Sequence, residues 1–308
     1  MKESIIITGG SGFIGQALIQ KLLEQDYEII SLIHNTSLSI EHPNFREVHA
    51  NISNIPETVD TLKYLKDIDN YNYKHFIHLA WHGTSKNRYD FISQNENVQN
   101  SINCVQIAKQ VGCSNILIPG SIMEYEASQL LLNDLNENDL KTPMPAYSFA
   151  KLESHHKCRE ECIKQNINLL YPIISNAYGV GDTSNRFVCN TLNKILNNEP
   201  LKFSASTHIY DFIYIDDIAN SIIAVMEKGI PFKNYILSDG TPRTLKEFIL
   251  TMCKLGNYSN TIEFGKPIPY SFSRALYDVT PLIEDTGYIP MITFEEGITK
   301  TLNWLKGE

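Results

Sequence analysis

The chain has 308 residues, 43% of them hydrophobic and 20% charged, so it is long enough to bury more than one hydrophobic core. Its formal net charge is −9 and it carries no basic run, which makes nucleic acid a poor candidate partner. The apolar stretch Ile5 to Ile7 is too short for a signal peptide or a membrane span, so we expect a soluble, cytoplasmic protein.

The six cysteines are scattered along the chain and none forms a CxxC pair. Cys158 and Cys162 could share one face of a helix, but no second pair of metal ligands accompanies them. We therefore expect reduced, packed thiols and no metal site.

A short apolar strand, Ile5 to Thr8, is followed by a glycine-rich turn that opens the first predicted helix. Its glycines are Gly9, Gly12 and Gly15. In such a turn the first glycine permits the tight bend, the second lets a pyrophosphate approach the backbone, and the third allows close packing of the helix on the strand. The N–H groups at the positive end of the helix then bind the diphosphate, so the turn predicts a dinucleotide site.

The end of the second predicted strand, Glu28 to Ile33, bears on which nicotinamide cofactor is used. NAD-specific sites usually place Asp or Glu there to hold the ribose 2′-hydroxyl. Here the chain continues with His34 and Asn35, which offer no carboxylate to repel a 2′-phosphate and could donate hydrogen bonds to one. We therefore expect NADP(H) in preference to NAD(H), although no arginine supports this choice. The alternative is that His34 is merely a solvated strand end.

The remaining elements of the first half repeat the order strand, helix, strand. Continuous rather than alternating apolarity indicates strands covered on both faces, which is typical of a parallel sheet with right-handed crossovers. The pattern predicts an α/β fold, a doubly wound parallel sheet of Rossmann type, with a smaller C-terminal α/β substrate lobe. The further predicted strands are Phe45 to His49, Lys74 to Leu79, Asn115 to Pro119 and Asn168 to Ile173, and the predicted helices are Phe13 to Glu24, Pro56 to Lys66, Asn95 to Val111 and Ala146 to Gln165.

Three residues are candidates for catalysis. Tyr147 and Lys151 are four residues apart near the start of a predicted helix, which places the phenol and the ammonium on the same face. The cation favours the phenolate and brings tyrosine, with an unperturbed pKa of about 10, towards acid-base chemistry at neutral pH. Ser121 follows an apolar strand at its carboxyl end, where doubly wound folds bind ligands, and its hydroxyl could polarise a carbonyl beside the nicotinamide.

After Asn176 the alternation gives way to clusters of glycine, proline and asparagine, which indicate a second, smaller lobe. Two later apolar segments, Ile209 to Ile215 and Asn234 to Leu237, are predicted to add strands to the first sheet. We assign residues 1–175 and about 207–238 to the dinucleotide-binding domain, and about 176–206 and 239–308 to the substrate lobe.

Along nearly its whole length the sequence resembles the extended short-chain dehydrogenase/reductases, also called the NAD-dependent epimerase/dehydratase family. The resemblance implies that Tyr147 is the acid/base, that Lys151 holds the ribose hydroxyls and tunes Tyr147, and that Ser121 binds the reacting oxygen. The motifs that carry it are the TGxxGFIG turn, His78-Leu79-Ala80, Asn97-Val98, Ser121 with Tyr125, the Tyr147/Lys151 pair, Asn176 to Gly179, Asp211 to Asp217 and Gly287 to Pro290.

The resemblance also implies where the cofactor lies. Asn51 and Ile52 would border the adenine, Ala80 and Trp81 would line the cofactor, and the backbone near Ile174 would meet the carboxamide. The full set of candidate cofactor contacts is Gly9, Gly12, Phe13, Ile14, Gly15, His34, Asn35, Asn51, Ile52, Leu79, Ala80, Trp81, Asn97, Tyr147, Lys151 and Ile174.

Residues after Ser121 distinguish activities within this family. Sugar-nucleotide 4,6-dehydratases resemble one another in a Thr-Asp-Glu triplet where this chain has Ser121-Ile122-Met123, and epimerase-reductases of the fucose type carry a cysteine at the position of Met123. The comparison argues against dehydration and against epimerisation at carbons 3 and 5. Glu124 is one residue away and could contribute instead, but on an irregular turn we interpret it as a solvated glutamate.

Two family activities remain, a 4-ketoreductase that consumes NADPH and a 4-epimerase that retains NAD and reuses its hydride. A non-catalytic, cofactor-sensing binding protein is a further alternative, but such proteins typically lose the tyrosine or the lysine. The stretches Asn185 to Lys194 and Glu263 to Tyr270 are similar to reductases that finish deoxysugars of bacterial surface polysaccharides. The expected reaction is reduction of a nucleotide-linked 4-keto-6-deoxysugar, with Tyr147 protonating the emerging alkoxide.

The chain departs from the family at Tyr210, where many sugar-nucleotide members have an arginine that meets the nucleotide's phosphates. Arg186, Lys194 and Arg274 are candidate replacements, because phosphate is normally met by arginine or lysine, although each could be a solvated surface residue. The family also implies a homodimer formed through two long helices per subunit. The candidate substrate contacts are His82, Ser121, Met123, Asn176, Arg186, Tyr210 and Arg274.

Overall fold

A computed structural model describes residues 3–84, 87–134, 145–267 and 272–307 of the chain. The chain forms two compact units. The first comprises the residues up to Ile173 together with Ile222–Tyr235, and the second comprises Ile174–Ser221 and the residues from Ile236 onward. In these ranges no helix combines the length and the apolarity that a membrane crossing requires.

A mostly parallel sheet is the centre of the first unit and confirms the predicted fold class. Its strands run in the order β12, β7, β5, β4, β1, β2, β3, and a short β6 pairs with β7. The order reverses at β1, between β4 and β2, and in such folds ligands bind outside the carboxyl ends of the strands at this point. The strands are β1 (Glu3–Thr8), β2 (Glu28–Ile33), β3 (Phe45–His49), β4 (Asn72–His78), β5 (Asn115–Leu117), β6 (Gly120–Ser121), β7 (Asn168–Ile174) and β12 (Asn234–Leu237).

Helices cover the sheet, as the continuous apolarity of its strands requires. Ile5, Ile6 and Ile7 of β1 are completely buried, because each side chain faces packed protein on one face of the sheet or the other. The predicted bounds of the first helix and of β2, β3 and the long helix after residue 145 are confirmed. The helices of this unit are α1 (Phe13–Glu24), α2 (Ile55–Asp69), α3 (Phe91–Val111), α4 (Met123–Asp134) and α5 (Ala146–Gln165).

Three small two-stranded sheets and several helices make up the second unit. Strand β8 pairs with β11 and β9 with β14, both parallel, while β10 and β13 are antiparallel. Residues 268–270 of the predicted reductase-like segment lie outside the described residues. The elements are β8 (Ala177–Tyr178), β9 (Leu201–Phe203), β10 (Ile209–Tyr210), β11 (Ile213–Tyr214), β13 (Arg243–Thr244), β14 (Ile262–Phe264), α6 (Phe187–Leu196), α7 (Ile215–Lys228), which continues into the first unit, α8 (Leu245–Leu255), α9 (Thr280–Thr286) and α10 (Phe294–Lys306).

The segment Ile209 to Ile215 does not join the first sheet, so that prediction is wrong. It divides into β10 and β11, which belong to separate two-stranded sheets, whereas Asn234 to Leu237 does join as β12. Asp211 lies at the division and is fully buried. Its carboxylate accepts hydrogen bonds from Ser238 Oγ at 2.7 Å and from the Gly240 N–H at 2.9 Å. A buried carboxylate needs such donors, and meeting them interrupts the strand.

Candidate active site

The turn between β1 and α1 fits a diphosphate for reasons that are specific to each glycine. Gly9 has a φ of +76°, and a Cβ there would lie 2.5 Å from the backbone nitrogen of Ala80. A Cβ on Gly15 would lie 2.3 Å from the carbonyl oxygen of Gly9. Gly12 is the N-cap of α1 and has no side chain to accept from the first N–H groups of the helix. The N-terminus of α1 can therefore bind an anion through its backbone N–H groups.

A cavity of about 420 Å³ lies at the carboxyl ends of β1, β2 and β4. Its size is within the range of about 300–1,000 Å³ that is typical of ligand pockets. Among the described residues that line it there is no Asp, Glu, Lys or Arg. The predicted contacts that line it are Gly9, His34, Asn35, Asn51, Ile52, Ala80, Trp81 and Asn97, together with His82, which was predicted to meet the substrate.

Other predicted cofactor residues support the cavity or lie beside it. Phe13 and Ile14 form the first turn of α1, and the Leu79 N–H donates to the carbonyl oxygen of Thr8 at 3.0 Å. Asn97 accepts from the His82 N–H at 2.9 Å and donates to the His82 carbonyl oxygen at 2.8 Å. Its amide therefore fixes the backbone of one wall of the cavity.

Behind the cavity lies a row of buried polar side chains that hydrogen-bond to one another and were not predicted from the sequence. Thr8 Oγ1 lies 2.7 Å from His78 Nδ1, and His78 Nε2 lies 3.1 Å from Ser101 Oγ. Burial, with a smaller contribution from the positive charge of Lys151, lowers the pKa of His78 to about 3. The imidazole is therefore neutral at neutral pH and ties the ends of β1 and β4 to α3.

Tyr147 and Lys151 both lie on α5 and both meet the indole of Trp81. The Tyr147 and Trp81 rings are 6.1 Å apart, edge to face, and Lys151 Nζ lies 3.7 Å from the centroid of the Trp81 ring. Lys151 Nζ also donates to the carbonyl oxygen of Pro119 at 3.2 Å. Burial lowers the pKa of Lys151 to about 8. Since Trp81 lines the cavity, the predicted acid/base pair contacts its wall.

Ser121 ends β6 and is anchored through two hydrogen bonds. Its N–H donates to Glu124 Oε1 at 2.8 Å, and its Oγ accepts from the Met123 N–H at 3.3 Å. Met123, predicted to meet the substrate, thus contacts Ser121 through its backbone. With the oxygen accepting from Met123, the Ser121 hydroxyl proton can be donated to another acceptor.

Glu124 is not a solvated residue on an irregular turn, so that prediction is wrong. It lies in the first turn of α4 and is only 4% exposed. Its carboxylate accepts from Tyr171 Oη at 3.0 Å and lies 2.9 Å from His155 Nδ1. A signal was present in the sequence: Ser followed three residues later by Glu is the pattern of a capping box at a helix start.

The second unit begins at Ile174, the predicted carboxamide contact, and contains the predicted substrate residues Asn176, Arg186, Tyr210 and Arg274. Ile174 ends β7, and Asn176 Nδ2 donates to the Asp211 carbonyl oxygen at 2.7 Å. Arg186 is the N-cap residue of α6. Arg274 Nη1 donates to the carbonyl oxygen of Pro242.

Tyr210 has a cationic neighbour that sequence analysis did not identify. In the antiparallel pair of β10 and β13, Tyr210 lies directly opposite Arg243. Arg243 Nη1 is 2.7 Å from Glu295 Oε1, and the guanidinium lies 4.6 Å from the centroid of Phe248. Its charge is therefore already paired within this unit. The ring of Tyr210 packs on Phe212 at a centroid distance of 5.3 Å.

All six cysteines are buried and unpaired with one another. Among the described residues, no cluster of three or more His, Cys, Asp or Glu side chains is placed to hold a metal ion. Cys158 and Cys162 do lie on one buried face of α5, and burial raises the pKa of both thiols.

Known proteins are similar to this chain over nearly its whole length. The profile of the NAD dependent epimerase/dehydratase family matches residues 5–237. A dTDP-4-dehydro-6-deoxyglucose reductase of Escherichia coli is 26% identical over 99% of this chain and 98% of its own length. A dTDP-glucose 4,6-dehydratase of Haemophilus influenzae is 22% identical over 98% and 97%.

A UDP-glucose 4-epimerase of Thermotoga maritima, solved with UDP-glucose, has the same fold, with a TM-score of 0.78 at 17% identity and with 99% of each chain covered. The family match extends from β1 to β12 and includes the glycine turn, Ser121, Tyr147 and Lys151. The chain therefore belongs to the NAD-dependent epimerase/dehydratase family and is an NAD(P)-dependent enzyme of the extended short-chain dehydrogenase/reductase type.

Proposed function

We propose that this enzyme modifies a nucleotide sugar, and that it uses NADPH to reduce a nucleotide-linked 4-keto-6-deoxysugar to the 4-hydroxy sugar. The observation that carries the proposal is the chemistry beside Ser121. The Ser121 hydroxyl oxygen accepts from the Met123 N–H, so its proton can be donated to a carbonyl oxygen. The next side chain, Ile122, is buried and apolar, and the carboxylate of Glu124 is engaged by three donors. Reduction needs a hydroxyl and a proton donor, while elimination of water needs a further acid and base.

The similarity to a dTDP-4-dehydro-6-deoxyglucose reductase over nearly the full length of both chains supports the same assignment. The glycine turn and the cavity fit a nicotinamide dinucleotide, which supplies a hydride to the carbonyl carbon when bound. Ser121 donates a hydrogen bond to the carbonyl oxygen, and Tyr147 gives that oxygen a proton as negative charge develops on it. Lys151, one turn along the same face of α5, stabilises the phenolate that remains.

NADPH is proposed over NADH because the wall at the end of β2 carries no carboxylate. His34, Asn35 and Thr36 line the cavity there and supply an imidazole, an amide and a hydroxyl. Each of these side chains can donate a hydrogen bond to a 2′-phosphate, and none repels it.

The reaction is tested by incubating the purified protein with NADPH and a panel of nucleotide-linked 4-keto-6-deoxysugars. We expect stoichiometric loss of NADPH absorbance and formation of a 4-hydroxy product with at least one of them. A protein that purifies with tightly held NAD and interconverts two nucleotide sugars, without net oxidation of NADPH, would instead be a 4-epimerase. A protein that binds cofactor and turns over none of these substrates would favour the cofactor-sensing alternative.

A further inference from the structure

Glu124 occupies a buried cluster directly behind Ser121. One carboxylate oxygen, Oε1, accepts from both the Ser121 N–H and Tyr171 Oη, and the other lies 2.9 Å from His155 Nδ1. The His155 ring stacks on the Tyr171 ring at a centroid distance of 3.8 Å. Since both oxygens are engaged by protein groups, the carboxylate is held in one place and is not offered to a substrate.

The backbone before Ser121 is shaped to admit this carboxylate. A Cβ at Gly120 would lie 2.5 Å from Glu124 Oε1 and 2.4 Å from Tyr171 Cε1. Tyr171 is almost completely buried and has no room to move aside. The absence of a side chain at Gly120 therefore lets the carboxylate reach the N–H of the next residue.

We propose that Glu124 is a positioning residue for the reduction, fixing the Ser121 backbone so that the Ser121 hydroxyl meets the substrate's carbonyl oxygen. This inference rests on the proposed function. The Ser121 hydroxyl oxygen already accepts from the Met123 N–H, so its direction depends on how the backbone from Ser121 to Met123 is held. A displacement of about 1 Å at a group that contacts the reacting atoms can reduce the rate about 100-fold.

Glu124 could also act through its charge, because its negative charge opposes the effect of burial on the pKa of Lys151. Two substitutions separate hydrogen-bond reach from charge. Glu124→Gln keeps an oxygen at the same distance along the side chain and removes the charge. Glu124→Asp keeps the charge and withdraws the carboxylate by one methylene. We assign the role of Glu124 to its hydrogen bond with the Ser121 N–H and not to its negative charge.

The kinetic experiment measures kcat per NADPH-binding site, with KM for both substrates, in the wild type and in Glu124→Gln, Glu124→Asp and Glu124→Ala. We expect kcat of the Gln variant within about 3-fold of wild type, and kcat of the Asp and Ala variants lower by about 10- to 100-fold, with KM for NADPH nearly unchanged. An Asp variant as active as wild type beside an impaired Gln variant would assign the role to charge and overturn the proposal. So would an Ala variant with wild-type kcat per folded site.

A second measurement does not depend on turnover and remains informative if the Ala variant folds poorly. Amide hydrogen exchange at Ser121, followed by NMR, should stay slow in the Gln variant and become about 10-fold faster in the Asp variant, because the N–H loses its buried acceptor. Glu126→Gln is the matched control, since Glu126 is also a buried carboxylate of α4 but accepts from Ser148 Oγ at 2.6 Å. It should leave exchange at Ser121 unchanged.

The two measurements distinguish the two proposals. A wild type that reduces no ketosugar, while Ser121 exchange follows the expected order, contradicts the proposed function and leaves the contact in place. A wild type that reduces a ketosugar, while neither kcat nor Ser121 exchange responds to Glu124→Asp, overturns the positioning role.

Discussion

Lys151 carries a charge in a place where burial opposes it. Removing an ammonium from water favours its neutral form, and the nearby negative charge of Glu124 only partly offsets that effect. The pKa of Lys151 is nevertheless lowered to about 8. The residue therefore titrates within the range in which enzymes are assayed.

We predict that kcat/KM for NADPH falls as pH rises through about 8. A lowered pKa means that Lys151 is protonated below this pH and neutral above it, and kcat/KM reports the free enzyme. The proposed functions of Lys151, holding the ribose and stabilising the phenolate, are served best by the protonated form. The measurement is a pH profile of kcat/KM for wild type and Lys151→Arg, whose side chain stays charged. If kcat/KM of the Arg variant falls at the same alkaline pH as that of the wild type, the fall is caused by the titration of another group.

Tyr147→Phe should reduce kcat by about 10² to 10⁴, because the variant retains the ring but loses the proton donor. Its affinity for NADPH, measured by fluorescence titration, should change little. Lys151→Ala is the comparison, since we expect it to weaken both kcat and NADPH binding. Wild-type turnover in the Phe variant would exclude Tyr147 as the acid.

At the scale of single elements, two glycines of the β1–α1 turn should affect different properties, Gly15 the stability of the fold and Gly12 the binding of the cofactor. A Cβ at Gly15 would meet the Gly9 carbonyl oxygen at 2.3 Å, whereas a Cβ at Gly12 would meet the same atom at 3.3 Å. The first clash involves backbone that cannot move without opening the turn. In dinucleotide-binding turns of this kind, the second glycine is the one that lets the pyrophosphate approach the backbone.

Gly15→Ala should therefore lower the melting temperature, because overpacking at this position should reduce the free energy of unfolding by about 1–3 kcal/mol. Gly12→Ala should keep nearly wild-type stability and weaken NADPH binding, because its methyl group stands between the helix N-terminus and the diphosphate. Thermal denaturation and NADPH titration of both variants check the pair. Equal losses of stability in the two variants would contradict this division.

The end of β2 provides the test of cofactor choice. His34→Asp places a carboxylate where a 2′-phosphate would lie, so we expect KM for NADPH to rise about 10-fold or more while KM for NADH changes little. His34→Asn is the control for loss of the imidazole without added charge. Substitution of Ile33 is less suitable because Ile33 is buried and an Asp there would also destabilise the strand. An unchanged ratio of the two KM values would leave His34 as a solvated strand end.

At the scale of the whole molecule, we expect Arg186 or Arg274, both in the second unit, to contact the diphosphate of the nucleotide sugar. Arg186→Ala or Arg274→Ala should then raise KM for the nucleotide sugar about 10-fold or more, with a smaller change in kcat and in NADPH affinity. The reason is that a diphosphate contact is made in the ground state and the transition state alike. Lys202→Ala, which removes an exposed ion pair with Glu263, is the control. No change in KM for either arginine variant would place the phosphate site elsewhere.

Local patterns in the sequence were enough to predict the sheet, the glycine turn and the Tyr147/Lys151 pair. Continuous apolar runs mark strands that are covered on both faces, and a spacing of four residues puts two side chains on one helix face wherever the helix lies. The bounds of α5 and the meeting of Tyr147 and Lys151 at Trp81 agree with that reasoning. These features depend on neighbours within a few residues along the chain.

Only the tertiary structure showed what surrounds those residues. Glu124 was interpreted as solvated because its partners, His155 and Tyr171, are 31 and 47 residues away. His78 contacts Thr8, which is 70 residues away along the chain. The segment after Ile209 does not join the first sheet. The donors to its buried Asp211 side chain lie 27 and 29 residues later. Burial and pairing of polar groups are set by which distant elements pack together, and a local pattern of residue types carries no record of that packing.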